Sequence, residues 1–243
     1  MTAAVTTQTV DVGNSSIGVV SWCDGKPGAL NVVAEPRQAA ALLVSARVRV
    51  LSVAPARLKA LLQACESASG RLEVLAGVPV PLLDERLADT AGADRLALAL
   101  AARPGPAVVV DGGTALTVEV VDGAGVYRGG FIAPGPGAAL SGLSSAAPRL
   151  PDLSGEPVPI VVGRETHGAL SAGGWGLVVG GTDRLVTAAL DDLGVHDARV
   201  IATGGWGAAW AQDTALDLGE QLETDALMVH RGILAWPGAD TNR

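Results

Sequence analysis

The sequence predicts a mixed α/β protein built from two similar half-domains, and three observations carry that expectation. A short phrase occurs twice, as Asp11-Val12-Gly13-Asn14-Ser15 and as Asp111-Gly112-Gly113-Thr114-Ala115. Each copy follows β-branched residues (Thr9-Val10 and Val108-Val109-Val110), leads into a second apolar run (Ile17 to Trp22 and Val118 to Val121), and closes on Asp-Gly at 24–25 and 122–123. That pattern is strand, tight loop, strand, turn, written twice. In each half three strands precede alternating helices and strands, the order of a mixed sheet with helices on its faces. Between the halves, Arg103-Pro104-Gly105-Pro106 breaks the chain. The expected domains are residues 1–105 and 106–243, with the active-site cleft between them.

The elements follow in order. Residues 5–12, 17–23 and 29–34 read as strands joined by turns. Pro36 to Val44 reads as a helix, Arg47 to Val53 as a strand, and the stretch up to Cys65 as a second helix. Leu72 to Leu75 is a short strand and Gly92 to Ala102 a helix. The second half restarts with strands at 107–111, 116–121 and 126–132. A helix begun by Pro134 spans about 135 to 146, and Pro148 to Pro159 is irregular. Ile160 to Val162 reads as a short strand and Thr166 to Leu190 as a long helix. That helix carries Gly173, Gly174, Gly176, Gly180 and Gly181. Glycine weakens a helix interior, so close packing against a partner is the expected compensation. Arg199 to Ala202 reads as a strand ending in Thr203-Gly204-Gly205, and a last helix spans about 223–236.

Composition narrows the function. In 243 residues, 49% are hydrophobic and 17% charged, so a substantial core is expected and disorder is not. The formal net charge of −8 disfavours nucleic acid and anionic membranes as partners. No apolar run reaches membrane-spanning length, and the first residues lack the basic and apolar regions of a secretory signal. A cytoplasmic protein is the expectation. Cys23 and Cys65 fit no metal or redox spacing and read as buried free thiols. His167, His196 and His230 form no ligand spacing. Trp175, Trp206, Trp210 and Trp236 read as core or interface residues, with Trp206 a candidate border for an adenine.

The doubled phrase carries the chemistry. A glycine after a buried strand lets backbone approach a ligand, and successive N–H groups in such a turn cradle phosphate. Asn14, Ser15, Thr114 and Thr117 add neutral donors. Asp11 and Asp111 would repel a bare phosphate, which implies an intervening cation, with magnesium the usual choice. Two ordinary hairpins are the plainer alternative. The two lysines, Lys26 and Lys59, sit in no Gly-rich Lys-Ser/Thr loop, which argues against a P-loop enzyme. No Gly-x-Gly-x-x-Gly opens a helix after the first strand, so a dinucleotide fold is unsupported.

The doubled Asp-x-Gly loops and Thr203-Gly204-Gly205 resemble the acetate kinase, sugar kinase, Hsc70 and actin superfamily. Four further pieces resemble type III pantothenate kinase: Gly92-Ala93-Asp94-Arg95; Asp111 to Thr117; Gly129-Gly130-Phe131-Ile132-Ala133-Pro134-Gly135; and Gly163-Arg164-Glu165-Thr166 with Ser171-Ala172-Gly173. The resemblance implies two ribonuclease H-like (actin-like ATPase) half-domains, each a mixed β-sheet flanked by helices. It implies ATP-dependent phosphorylation of pantothenate, the first step towards coenzyme A, by a homodimer using Mg2+ and a monovalent cation, K+ or NH4+. By resemblance, Asp11, Val12, Gly13, Asn14, Ser15, Ser16, Ile17 and Gly18 form the first ATP loop, and Thr114 touches ATP from the second. Asp94 matches the proton acceptor. Gly92, Ala93 and Arg95 match the pantothenate-binding segment, Thr166 a second substrate contact, and Asp111 the monovalent-cation ligand.

Read from below, a primary alcohol ionises far above neutral pH, so a carboxylate must take its proton during transfer. Asp94 is placed for that if Arg95 pairs with the pantothenate carboxylate. A plain charged pair at a helix N-terminus is the alternative, as a cap is for Thr166. The chain departs from the family pattern at three places. Leu82 to Arg86 lacks the usual tyrosine, an asparagine after the arginine is missing near Leu98, and Glu165 stands where asparagine is usual. Two rivals therefore stand beside the kinase: a catalytically altered dimeric accessory protein on the same fold, and a superfamily kinase acting on another small alcohol.

Overall fold

The computed structural model describes residues 7–45, 47–65, 72–76, 87, 90–153, 155–195 and 197–237. The chain divides into two compact units, Met1–Ala101 with Leu227–Arg243, and Ala102–Ala226.

Unit 1 is built on β1 (Thr7–Val12), β2 (Ile17–Cys23), β3 (Lys26–Val33), β4 (Val48–Ser52) and β5 (Leu72–Val74). Their order in the sheet is β3-β2-β1-β4-β5. β1 runs antiparallel to β2 and parallel to β4, so it is hydrogen-bonded on both sides. Alternation along the strands sorts the side chains by face. Val10, Val12, Ile17, Val19, Val48 and Val50 point one way. They pack with Ala39 of α1 (Pro36–Leu42) and Leu61 of α2 (Pro55–Ala64). The other face carries polar groups that are also buried, notably Thr9 and Arg49. α3 (Ala93–Ala101) and α7 (Met228–Ala235) lie on that side.

Two features fix α7 there. Arg49 is 3% exposed; its Nη1 donates to the carbonyls of Ile233 and Leu234, at 2.8 Å each, and its Nε and Nη2 to the Glu73 carboxylate, at 3.2 Å each. A buried cation is thus matched both to a helix C-terminus and to a carboxylate. Gly232 lets the backbones of α7 and α3 approach, since a Cβ there would run into the Ala97 carbonyl. The final helix therefore belongs with the first sheet by packing, although it follows the second sheet in sequence.

Unit 2 repeats the plan with β6 (Ala107–Gly112), β7 (Ala115–Val121), β8 (Tyr127–Pro134), β9 (Arg199–Gly204) and β10 (Leu222–Thr224). The order is β10-β9-β6-β7-β8, and β6 is antiparallel to β7 and parallel to β9. Each unit thus places its first strand at the centre, its second and third to one side, and its fourth and fifth to the other. This is the ribonuclease H-like sheet, formed twice. Val108, Val110, Leu116, Val118, Val120, Val200 and Ala202 pack with α5 (Thr166–Leu193) and α6 (Gly207–Asp213). Each buried indole finds a partner: Trp175 Nε1 donates to Asp213 Oδ2 at 2.6 Å, Trp210 Nε1 to Asp183 Oδ1 at 2.9 Å, and Trp206 Nε1 to the Gly113 carbonyl at 2.8 Å.

Several elements differ from the sequence reading. Ile160–Val162 forms no strand and is exposed, because Pro157 and Pro159 beside it remove ladder donors. The last helix starts at Met228 and not near residue 223, where Leu222–Thr224 forms β10 instead, and α6 has no sequence signal of its own. β10 has three residues, and α6 starts at Gly207 without a side-chain cap. β8 runs to Pro134, and α4 (Pro136–Ala146) begins two residues later. Cys65 is buried, whereas Cys23 is half-buried. The Leu82 to Arg86 stretch and His196 lie outside the described residues.

The α5 glycines split into two classes. A Cβ on Gly174 would lie 2.8 Å from Leu140 Cδ2 of α4, and one on Gly176 3.3 Å from Ile160 Cγ2, so close packing accounts for both. Gly173, Gly180 and Gly181 face open space. The same substitution therefore has opposite signs in the two units. Gly232→Ala is expected to destabilise by about 2 kcal/mol through backbone overlap. Gly180→Ala is expected to stabilise by about 0.5–1 kcal/mol through helix propensity. Urea denaturation of the two variants beside the parent checks both signs.

Candidate functional site

Unit 1 carries its candidate groups at the C-terminal end of β1. Asp11 is the penultimate residue of that strand, paired with Gly18 of β2 and Leu51 of β4. The chain then turns tightly: Gly13 N–H donates to the Ser16 carbonyl at 3.0 Å. A Cβ on Gly13 would press to 3.3 Å from that oxygen, so the turn suits glycine. Asn14, Ser15 and Ser16 are exposed on the loop, while Val12 and Ile17 sink into the core on either side.

Asp94 stands in the first turn of α3 and is half-buried. Its Oδ1 accepts from the Arg95 backbone N–H at 2.8 Å. Gly92 makes room for this: a Cβ there would lie 2.6 Å from the same oxygen. Leu96 to Ala99 are buried and hold the turn in place from below. Leu98, at the position of the missing asparagine, is 1% exposed. The Asp11 pKa is pushed up to about 7, chiefly by burial and further by the charge of Asp94. Among the described residues Asp11 has no ion-pair partner, so the strand end fits a cation or a proton.

Behind Asp11, the same face of the sheet holds a buried polar relay that sequence inspection missed. Thr9 Oγ1 accepts from Trp22 Nε1 at 2.9 Å and lies 3.0 Å from Nδ1 of His230. A Cβ on Gly18 would come within 2.8 Å of His230 Nε2. His230 is 2% exposed, and burial lowers its pKa to about 4, opposed by a hydrogen bond at Thr9. It is a neutral core histidine. Nothing in the local sequence distinguishes it from a surface one.

Unit 2 builds the corresponding strand end more tightly. Asp111 is paired with Thr117 of β7 and Thr203 of β9, and both threonines are buried. Only Gly113 and Thr114 separate β6 from β7, and Gly113 N–H donates to the Ala115 carbonyl at 3.1 Å. Gly204, with φ of +81°, runs beside Gly112; a Cβ there would run into Asp111 Oδ1. Gly135 N–H donates to the Thr114 carbonyl at 3.0 Å, and a Cβ on Gly135 would run into Gly113. The glycine-rich segment thus packs backbone to backbone on the Thr114 loop. One carboxylate among neutral oxygens fits a cation of low charge. Among the described residues no group of three or more His, Cys, Asp or Glu could hold a metal ion.

Three further side chains are held by defined contacts. Trp206 is 7% exposed; its ring lies against Gly112 and meets Trp175 edge-on at 5.9 Å, so it closes the strand end from inside. Tyr127, the sole tyrosine, is buried, and its Oη donates to Glu119 Oε2 at 2.5 Å. Glu165 caps α5, its carboxylate accepting from His167 N–H at 2.8 Å and Gly168 N–H at 2.5 Å, which lowers its pKa. Thr166 is therefore the first helical residue and not the cap, and it is exposed.

The model of the type III pantothenate kinase family matches residues 9–188. A type III pantothenate kinase from Rhodospirillum rubrum is 35% identical over 193 residues, covering 76% of this chain and 73% of the relative. One from Frankia alni is 39% identical over 166 residues, covering 65% and 66%, and one from Acidiphilium cryptum is 40% identical over 127 residues, covering 51% and 47%. The chain therefore aligns with less than two thirds of the length of the latter two. Among solved structures, a protein from Campylobacter jejuni described as a conserved Baf family transcriptional activator superposes with a TM-score of 0.62 at 23% identity, covering 93% of this chain and 95% of that one. The ethanolamine utilization protein EutJ from Carboxydothermus hydrogenoformans gives a TM-score of 0.56 at 18% identity, covering 95% and 89%. At these identities the structural likeness speaks for the fold alone.

Asp11 and His230 give unit 1 two opposed pH dependences. Between about pH 4 and 6.5 the unfolded chain binds the His230 proton and the folded chain does not, so stability is lost as pH falls through that window. Between 3.8 and about 7 the folded chain holds the Asp11 proton and the unfolded chain releases it, so stability is lost as pH rises. Asp11→Asn is expected to raise stability at pH 8 by about 2–4 kcal/mol and to leave a steeper loss between pH 6.5 and 4. Thermal melts across pH 4–8 without nucleotide or divalent metal check this. A pH-independent difference between variant and parent contradicts it.

Proposed function

The chain belongs to the type III pantothenate kinase family, and we propose that it transfers the γ-phosphoryl group of ATP to the primary hydroxyl of pantothenate. The observation that carries this reading is the placement of two carboxylates within unit 1, Asp11 at the end of β1 and Asp94 in the first turn of α3. Phosphoryl transfer needs positioning, charge neutralisation and a destination for one proton. The hydroxyl oxygen attacks phosphorus, the bond to the β-phosphate oxygen breaks, and the hydroxyl proton passes to Asp94. No phosphoenzyme is required.

In this reading the loop from Asp11 to Gly18 and Thr114 bind ATP. Gly92, Ala93 and Arg95 bind pantothenate with Thr166, the Arg95 guanidinium pairing with its carboxylate. Bound Mg2+ would neutralise triphosphate charge near Asp11. The monovalent cation at Asp111, homodimer assembly and a cytoplasmic location belong to the same proposal and rest on the family resemblance. No described helix is long and apolar enough to cross a membrane.

One feature favours a second reading. Glu165 puts an exposed carboxylate beside Thr166, where the family pattern has a neutral asparagine. An accessory protein that binds ATP without turnover follows if that charge excludes pantothenate. Release of ADP with pantothenate, Mg2+ and K+ separates the two. The parent is expected to turn over. Asp94→Asn is expected to lose about 10²–10⁴ in kcat with its melting temperature and ATP affinity retained. Full activity in Asp94→Asn removes the proposed role.

A further inference from the structure

Among the described residues, Thr117 stands at the Asp111 strand end with a side-chain oxygen left unused. It is 9% exposed, and its hydroxyl oxygen is buried without a hydrogen-bond partner. Buried hydroxyls are normally paired, because leaving one unmade forfeits its hydration with no return. The register sets Thr117 directly opposite Asp111, and Asp111 beside Thr203. Residues so paired share a face of the sheet, with Cβ atoms about 5 Å apart. A row of hydroxyl, carboxylate and hydroxyl therefore crosses three strands. On the β9 side the Gly204 backbone closes against the Asp111 carboxylate. On the β7 side the Thr117 hydroxyl is buried and makes no hydrogen bond.

A buried, unbonded hydroxyl oxygen opposite a carboxylate on the same sheet face supplies, with that carboxylate, a ligand pair for a cation. A single negative charge among neutral oxygens matches a single positive charge, and neutral oxygens replace the hydration shell of a large, weakly hydrated ion. Mg2+ suits the row less well, since it keeps several waters and demands an octahedral shell. We propose that the Thr117 hydroxyl is a ligand of a monovalent cation held by Asp111, and that it sets the affinity of that site. The inference rests on the reading of Asp111 as a monovalent-cation ligand. It adds a residue that the family resemblance does not assign.

The test uses the full chain and K+ itself, titrated against choline chloride at constant ionic strength. Binding is read as the rise in melting temperature and, with Tl+ as the probe, by thallium-205 NMR. The parent is expected to saturate, and Asp111→Asn to lose the response. Thr117→Val keeps the shape and removes the oxygen. It is expected to raise the half-saturating K+ concentration by at least ~10-fold, the scale of removing one group that supports a metal site. Its melting temperature without K+ is expected to equal or exceed that of the parent, because the unpaired hydroxyl is gone. Thr117→Ser is expected to restore binding, and Thr117→Ala repeats the test should valine disturb the sheet. A parental half-saturation in both the valine and alanine variants overturns the role of Thr117 alone. A parent that ignores K+, or an Asp111→Asn variant that responds like the parent, overturns the cation site and the proposal with it.

Discussion

The structure depends on a carboxylate held at the C-terminal end of a strand that is hydrogen-bonded on both sides. β1 and β6 are the central strands of their sheets, so Asp11 and Asp111 cannot swing away on a fraying edge. The turns that follow are made of backbone and small residues, which leaves the strand ends open to a ligand. In Asp11 this placement is electrostatically unfavourable by itself, since burial and Asp94 both oppose its charge.

The two units reach that arrangement by different means. Unit 1 gives its loop four residues, Gly13 to Ser16, and buries a Thr9–Trp22–His230 relay and Arg49 under the strand. These polar groups attach α7, and α7 in turn supports α3, whose first turn carries Asp94. Unit 2 gives its loop two residues and lets Gly204 and Gly135 close around it, with Trp206 filling the space beneath. The first device positions an acid and the second confines one. Both rest on glycines that admit a neighbour, at Gly92 and Gly232 in unit 1 and at Gly204 and Gly135 in unit 2.

Much of the fold was legible because the doubled Asp-x-Gly phrase is local and repeats its flanking strands. What was illegible depends on contacts distant in sequence. α7 follows the second sheet in the chain and packs with the first, a choice made by Arg49 and Gly232 and not by α7's own pattern. β10 is too short to announce itself, and α6 lacks a capping side chain. At the candidate site, the strand-end carboxylates and the Gly-Ala-Asp-Arg turn stand out as residue types in sequence. The pairing of Asp111 with Thr117 and Thr203, and the coupling of Asp11 to Asp94, emerge only with sheet register and helix packing. The neutral state of His230 likewise follows from burial alone.

The most direct test of the account is the identity of the product. Purified protein incubated with ATP, Mg2+, K+ and pantothenate is followed by phosphorus-31 NMR with mass spectrometry. The account predicts ADP together with a phosphomonoester on the primary hydroxyl of pantothenate, in equal amounts. ATP that binds but stays intact, or ADP formed with free phosphate and unmodified pantothenate, would contradict it.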